Sequence, residues 1–238
     1  MRKNKMMRTA SGLLVATLLT TSVISGTFAK YTTTASGEDS ARVAKFGVEI
    51  TANGSMFADE YVTDDSRVSG TIAKSVITSG ASGDAVVAPG TKGNLLSATI
   101  KGKPEVAVHV DYEPTLTLEG WKAEDDSEYC PIVFTVGTKT YGLTGMKDVT
   151  GATVTNASTT IAELKTAVEG AIKAFSKDYA PKTDLSGINA DYVSVSWNWA
   201  FNNDDVKDTH LGDCAADDND ANDSKVELSV KTTVTQID

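Results

Sequence analysis

Apolar and polar residues alternate through residues 94–119, NLLSATIKGKPEVAVHVDYEPTLTLE, on both sides of a Gly-Lys-Pro turn. Such alternation puts the apolar side chains on one face of a half-buried β-strand. After the turn the apolar residues that share a face are Val106, Val108, Val110 and Tyr112. The pattern predicts strands over 94–101 and 105–112, and residues 115–119 continue the series.

Strand patterns continue along the rest of the chain. Residues 132–136 and 139–143 predict a hairpin across Gly137-Thr138. Residues 191–201 return to alternation, and residues 226–237 form the closing strand pattern. Many strands joined by turn-rich segments predict a mainly β fold, an antiparallel β-sandwich.

One segment has helical periodicity instead. Residues 160–175 place one apolar stripe on a helical face, consisting of Ile161, Leu164, Val168, Ala171, Ile172 and Phe175. Thr160 and Glu163 have the spacing of a capping box, in which each side chain bonds an amide at the start of the helix. The sequence therefore predicts one amphipathic helix inserted in the β fold.

Residues 1–29 have the layout of a secretory signal peptide. Basic residues open the chain (MRKNKMMR), an uncharged and largely apolar run covers 12–24, and small residues precede a cleavage site between Ala29 and Lys30. The apolar run is about 13 residues long, whereas a helix needs about 20 to span a bilayer. We expect cleavage by a signal peptidase, a secreted extracellular product and no stable membrane span after cleavage. An uncleaved membrane anchor is the alternative.

The predicted mature chain begins with a small, polar tail, residues 30–45. Behind this tail Phe46, Val48 and Ile50 alternate with polar or small residues, which predicts a half-buried strand. Hydrophobic residues make up 40% of the chain, enough to build a core. Residues 46–238 are therefore expected to form the folded body, a β-sandwich domain.

Acidic residues dominate the charge, and the formal net charge is −10. This argues against nucleic acid as a partner, because phosphate contacts need a basic patch. Residues 202–223 are rich in Asp and Asn and are predicted to form a loop. Oxygen ligands of the kind that calcium prefers are closely spaced at its end: Asp217, Asp218, Asp220, Asn222 and Asp223. A calcium site and a solvated acidic loop are the two interpretations, and His210 with Asp208 and Asp213 is a further metal candidate.

Two pairs of residues leave alternatives open. Cys130 and Cys214 form either a disulfide, which export permits, or two separate buried thiols. Trp197 and Trp199 share a strand face, either in the core or as a platform for stacking sugars. Common enzyme signatures are absent from the sequence, including HExxH, G-x-S-x-G and a phosphate-binding glycine loop. We therefore expect no catalytic activity.

The chain resembles the TasA/camelysin family of exported Gram-positive proteins in four pieces that occur in order: RTASGLLVATLLTTSVISGTFAKYT, VVAPGTKG, WNWAF and the terminal KVELSVKTTVTQID. The turn Ala88-Pro89-Gly90-Thr91 is similar to the Pro-Gly-Asp turn of that family, with Thr in place of Asp. The resemblance covers both ends of the chain and the Pro-Gly region. Residues near 120–190 look like a helix-bearing insertion.

The resemblance implies a jelly-roll-like sandwich, signal peptides cut by a dedicated signal peptidase, and extracellular fibres of the biofilm matrix. In such fibres the N-terminal segment of one subunit completes the sheet of the next. An added strand gains main-chain hydrogen bonds, and a head-to-tail contact propagates into an open homopolymer. We expect residues 30–45 to be the donor strand, with Ala41, Val43 and Lys45 at alternate positions. A monomeric surface adhesin or binding module and a camelysin-like metalloendopeptidase are the alternatives.

Overall fold

A computed structural model describes residues 43–51, 60–62, 76–78, 87–96, 99–188, 192–201, 203–216 and 224–237. The chain divides between Lys45 and Phe46 into two units, and the second contains every strand and helix given below. The predicted cleavage site at Ala29 and Lys30 and the donor position Ala41 lie outside the described residues. Within the described part, no helix is long and apolar enough to cross a membrane.

The strands are β1 (Val48–Thr51), β2 (Glu60–Val62), β3 (Val76–Thr78), β4 (Lys92–Leu96), β5 (Thr99–Gly102), β6 (Val108–Glu119), β7 (Ile132–Val136), β8 (Lys139–Leu143), β9 (Asn156–Ser158), β10 (Lys177–Tyr179), β11 (Ser194–Trp199) and β12 (Lys225–Gln236). The helices are α1 (Ile161–Lys173) and α2 (Asp205–Ala216), and a 3-10 turn covers Leu185–Gly187.

Two sheets dominate the described fold. One has the strand order β4-β11-β7-β8-β9, and the other has the order β10-β6-β12. Two further pairs, β1 with β5 and β2 with β3, are antiparallel. Neighbouring strands are antiparallel throughout except β8 and β9, which run parallel. Strand β6 alternates as the sequence predicts and buries Val108, Val110 and Tyr112 on one face. The predicted single strand over 94–101 is wrong, because these residues fall in two strands of different sheets, β4 and β5.

Residues of the two larger sheets contribute many of the side chains of the hydrophobic core. Its largest fully buried side chains include Tyr112, Trp121, Phe134, Leu164, Ile172 and Trp197. Helix α1 contacts β6 of one sheet and β7, β8 and β9 of the other, so its apolar stripe joins the two layers. The predicted mainly β fold is confirmed, and the architecture is that of a β-sandwich.

The turn Ala88-Pro89-Gly90-Thr91 is stabilised by hydrogen bonds of the Thr91 side chain and of the β11 main chain. The Thr91 hydroxyl donates to the Ala88 carbonyl at 2.6 Å, and the Gly90 N–H donates to the Trp199 carbonyl at 2.7 Å. Gly90 has a φ of +86°, and a Cβ there would collide with the Phe201 ring. Only glycine fits this position without strain.

Helix α1 begins with the predicted capping box. The Thr160 hydroxyl accepts the Glu163 N–H at 3.2 Å, and the Glu163 carboxylate accepts the Thr160 N–H at 3.3 Å. The same carboxylate accepts both the N–H and the hydroxyl of Thr159, which lowers the pKa of Glu163. These bonds satisfy amides that have no partner within the helix.

Replacing Thr160 by Ala is expected to lower the free energy of unfolding by about 1 kcal/mol, because the Glu163 N–H loses its acceptor. The matched control is Thr166→Ala, since Thr166 is on the same helix and its hydroxyl only bonds the Ala162 carbonyl one turn back. The control should change stability by less than about 0.5 kcal/mol. Urea unfolding measures both, and equal losses in the two variants would contradict a role for the cap.

The prediction of a loop over residues 202–223 is wrong for its first part, because α2 occupies Asp205–Ala216. The Asp204 carboxylate accepts the N–H groups of Val206 and Lys207, so it caps the first turn. Leu211 and Cys214 are the apolar residues that the helix buries. So short an apolar stripe gives no periodic signal amid many acidic residues, and only the packed structure reveals the helix.

The segment near 120–190 is part of the sandwich. It supplies β7, β8 and β9 to the larger sheet and β10 to the smaller one. Strand β7 lies at the centre of its sheet, between β11 and β8. The core would be incomplete without this segment, although sequence resemblance suggests an insertion there.

Candidate functional site

The N-terminal side of the described chain exposes apolar side chains. Val43 is 80% exposed, Phe46 is 38% exposed and Ile50 is 40% exposed. Strand β1 pairs with β5 from Val48↔Gly102 to Thr51↔Thr99. The predicted strand at residues 46–50 is therefore confirmed from Val48 onward. Its apolar face, however, is covered less than the alternating pattern predicts.

Strand β12 forms one edge of the β10-β6-β12 sheet. It pairs with β6 along its whole length, from Lys225↔Glu119 to Gln236↔Val108. In the described part of the chain, β6 is its one strand partner. We call the side of β12 that faces away from β6, over Lys225–Gln236, the β12 edge.

The apolar layer of this sheet is covered at β6 and only half covered at β12. Leu116 and Leu118 of β6 are 1% and 6% exposed. Their partners across the pair, Leu228 and Val226, are only half-buried. Opposed residues in an antiparallel pair project to the same face. One more strand beside β12 would therefore cover apolar surface that is now open to water.

Hydrogen bonds around the pair give the direction of its main-chain groups. The N–H groups of Tyr112 and Leu116 donate to Ser176 Oγ and Glu169 Oε1, away from β12. At the other end of the pair, the Ile237 N–H donates to the Ala107 carbonyl, toward β6. Because these directions alternate along a strand, six residues of β12 turn their N–H and C=O groups to the β12 edge: Val226, Leu228, Val230, Thr232, Val234 and Gln236.

The opposite edge of β6 is protected from pairing with another chain in several ways. Strand β10 pairs with Val108, His109 and Val110. Farther along, Ser176 and Glu169 occupy the outward N–H groups, and Pro114 has no N–H to offer. Proline and side-chain coverage of this kind discourage pairing with another chain.

A groove of about 620 Å³ lies between β6 and α1, and Trp121 is among its lining residues. Two of its carboxylates are bound to main chain, since Glu128 accepts the Ile161 N–H at 2.9 Å and Glu169 accepts the Leu116 N–H at 2.8 Å. Lys165 also lines the groove. The groove thus combines an amphipathic lining with a cationic group beside it.

A buried polar cluster lies where α2 meets residues 121–130. The Tyr129 hydroxyl donates to Asp208 Oδ1 at 2.6 Å, and Lys207 Nζ lies 5.2 Å from the centre of the Tyr129 ring. Asp208 Oδ2 and Trp199 Nε1 are buried and make no hydrogen bond by geometry. Burial raises the pKa of Asp208, and the nearby Tyr129 and Trp199 donors oppose that rise. Burial and the Asp208 carboxylate raise the pKa of Tyr129, so its hydroxyl stays protonated.

Several predicted site residues have other roles or fall outside the description. All five calcium candidates lie outside the described residues: Asp217, Asp218, Asp220, Asn222 and Asp223. His210 Nε2 lies 3.5 Å from Cys214 Sγ, whereas Asp208 points into the buried cluster. In the described part of the chain, no group of three or more His, Cys, Asp or Glu side chains is placed to hold a metal ion.

The structure holds Cys130 and Cys214 as buried thiols, so the disulfide interpretation is not realised in it. Burial raises the pKa of Cys130 to about 12. Trp197 and Trp199 are buried, and the Trp199 ring meets Trp121 edge to face at 5.8 Å. Both tryptophans are therefore core residues and offer no face to a sugar.

No protein-family model, curated protein or solved structure matches the chain. The resemblance to the TasA/camelysin family stays a prediction from the sequence pieces quoted above. The structural features that bear on function are therefore the β12 edge, the exposed N-terminal side chains and the groove beside α1.

Proposed function

We propose that this chain is a secreted structural protein of the cell surface or biofilm matrix that assembles into fibres by N-terminal donor-strand exchange. The observation that carries the proposal is the exposure of apolar side chains at Val43, Phe46 and Ile50. Exposed apolar side chains are buried when a second molecule covers them. The sequence-based expectation of a signal peptide and the resemblance to fibre-forming proteins support the same function.

The main test compares assembly of residues 30–238 with that of the chain lacking residues 30–45, by negative-stain microscopy and size exclusion. The full mature chain should form filaments or a ladder of oligomers, and the deletion should remain monomeric, because it lacks the strand that is donated. Equal assembly by both chains would overturn the proposal.

A point substitution separates the donor role from a general effect of shortening the chain. Val43→Asp should reduce assembly by about tenfold or more, because an ionised carboxylate opposes burial in an apolar pocket. The control Val43→Ile keeps the apolar, β-branched character and should assemble normally. Since Val43 is 80% exposed, neither change should alter the melting temperature of the monomer.

A monomeric binding module is the second candidate, and the groove between β6 and α1 favours it. At about 620 Å³ the groove has the size of a small-molecule or peptide site. A chain that remains monomeric under every condition while binding a ligand through Lys165 would favour this function over fibre assembly.

A further inference from the structure

We propose that the outer face of the β10-β6-β12 sheet binds a divalent transition-metal ion, such as Zn²⁺ or Cu²⁺, between His109 Nε2 and the Asp111 carboxylate. We call His109, Asp111, Ser176 and Asp178 the His109 cluster. The inference goes beyond the proposed function and does not depend on fibre assembly, because both ligands lie on strand β6 of one chain.

Strand pairing brings the His109 cluster together on one face of the sheet. His109 is opposite Asp178 of β10 on one side and opposite Thr235 of β12 on the other. Asp111 follows two residues later on β6, opposite Thr233, so it projects to the same face as His109. The side chains of His109, Asp111 and Asp178 are 37%, 32% and 68% exposed, so a hydrated ion has access to them.

A carboxylate fixes the imidazole ring of His109. Asp178 Oδ1 lies 2.6 Å from His109 Nδ1. Because an ionised carboxylate only accepts hydrogen bonds, Nδ1 is the donor, and in the neutral ring the lone pair is then on Nε2. Histidines that bind metals commonly donate their other ring N–H to a carboxylate in this way. Asp178 is therefore a positioning residue, and Nε2 of His109 is the ligand atom.

A second chain of hydrogen bonds fixes Asp111. The Ser176 hydroxyl donates to Asp111 Oδ1 at 2.9 Å, and the Tyr112 N–H donates to Ser176 Oγ at 3.0 Å. Asp111 is thus connected through one serine to the main chain of its own strand. Each ligand has a supporting partner before an ion arrives, which reduces the ordering that metal binding must impose.

The gap between the two ligand atoms suits an ion better than a hydrogen bond. His109 Nε2 and Asp111 Oδ1 are 3.9 Å apart, which is too long for a hydrogen bond. A tetrahedral zinc ion about 2.1 Å from a nitrogen and from an oxygen holds these atoms roughly 3.4 Å apart, so the side chains need to move by only about 0.5 Å. The cluster supplies two protein ligands, and water takes the remaining positions around the ion.

The charges and donor atoms of the cluster select the class of ion. Asp111 and Asp178 bring two carboxylates to this face, while Lys231 in the next row is paired with Glu113 at 2.6 Å. Imidazole nitrogen suits Zn²⁺, Cu²⁺ and Ni²⁺, whereas Ca²⁺ and Mg²⁺ prefer sites made of oxygen atoms. Among these transition metals Cu²⁺ should bind most tightly.

Isothermal titration of Zn²⁺ into the chain of residues 30–238 tests the proposal. An excess of Ca²⁺ in the buffer saturates sites made only of oxygen atoms, and one Zn²⁺ per chain should still bind. His109→Ala and Asp111→Asn should each weaken zinc binding by about tenfold or more, because each removes one of the two protein ligands. Asp111→Asn keeps an oxygen that accepts the Ser176 hydroxyl, so the supporting hydrogen bond survives.

Asp178→Asn tests the positioning role, and it should weaken zinc binding by about tenfold. Electron paramagnetic resonance of bound Cu²⁺ should show one imidazole nitrogen in the unchanged chain and in Asp178→Asn, and none in His109→Ala. The control Glu227→Gln removes a carboxylate from the same outer face, where Glu227 is paired with Lys225 at 3.2 Å. This control should keep zinc affinity within about twofold, because an exposed charge that is distant from the ion is screened by salt.

Thermal unfolding separates loss of the site from loss of the fold. Without metal, each variant should melt within a few degrees of the unchanged chain, since the substituted side chains are exposed or half-exposed. Zinc should raise the melting temperature of the unchanged chain and of Glu227→Gln, but not that of His109→Ala. Absence of zinc binding would overturn the proposal, and so would binding that survives both His109→Ala and Asp111→Asn. The chain has two histidines, and loss of binding in His210→Ala instead would place the ion on α2.

Discussion

Replacing Trp197 by Ala should lower the free energy of unfolding by about 3–5 kcal/mol, because a large buried aromatic side chain is lost and the surroundings only partly fill the cavity. Trp197 is 1% exposed. It lies on β11, an interior strand of the larger sheet, where it is opposite Phe134 of β7 on one side and Gly93 of β4 on the other. Glycine has no side chain to close over the space, so relaxation around the cavity should be limited.

Chemical denaturation with tryptophan fluorescence and circular dichroism measures this loss. The control is Val206→Ala on helix α2, since Val206 is 74% exposed and its truncation should change stability by less than about 0.5 kcal/mol. A loss below about 1 kcal/mol in Trp197→Ala would contradict its place in the core. Such a result would reopen the interpretation of this strand face as a sugar platform.

Replacing Tyr129 by Phe should lower the free energy of unfolding by about 2 kcal/mol at neutral pH, because the buried Asp208 carboxylate loses a charge-assisted hydrogen bond. The Tyr129 hydroxyl donates to Asp208 Oδ1 at 2.6 Å. The other carboxylate oxygen already has no partner by geometry. The variant would therefore leave a buried, ionised group with still fewer donors.

The loss of unfolding free energy in Tyr129→Phe should become smaller as the pH falls. Burial holds the pKa of Asp208 above its usual value of 3.8 in the folded protein, so the folded state binds this proton more tightly than the unfolded state. Its contribution to stability is therefore fully present below the unfolded pKa and is lost as pH rises through the folded pKa. Removing the Tyr129 donor raises the folded pKa further. The variant thus regains more stability on acidification than the unchanged protein does.

Tyr192→Phe is the matched control. Its hydroxyl is also buried and donates at 2.5 Å, but the acceptor is the neutral Leu185 carbonyl. We expect a loss of about 1 kcal/mol that does not vary between neutral pH and pH 5. Urea unfolding at several pH values compares the two variants. A pH-independent loss in Tyr129→Phe would show that Asp208 is not the titrating partner.

The elements that the sequence predicts correctly are those specified by near neighbours. The hairpin of β7 and β8 has the predicted bounds and turn, and helix α1 has the predicted cap at Thr160. A strand's alternation or a capping box depends on residues within a few positions of each other. Helix α2 is not predicted from near neighbours, because Leu211 and Cys214 are its only buried apolar residues among many acidic ones.

The features of the candidate site also differ in whether the sequence alone predicts them. The amino-acid order alone establishes a polar tail followed by alternating Phe46, Val48 and Ile50, and it establishes that residues 226–237 form a strand pattern. It does not establish that β12 lies at a sheet edge, because that depends on which strands pair with β6. Nor does it place Tyr129 against Asp208, which is 79 positions away in the chain. Burial and edge position are properties of contacts between distant segments, and the packing of the whole chain settles them.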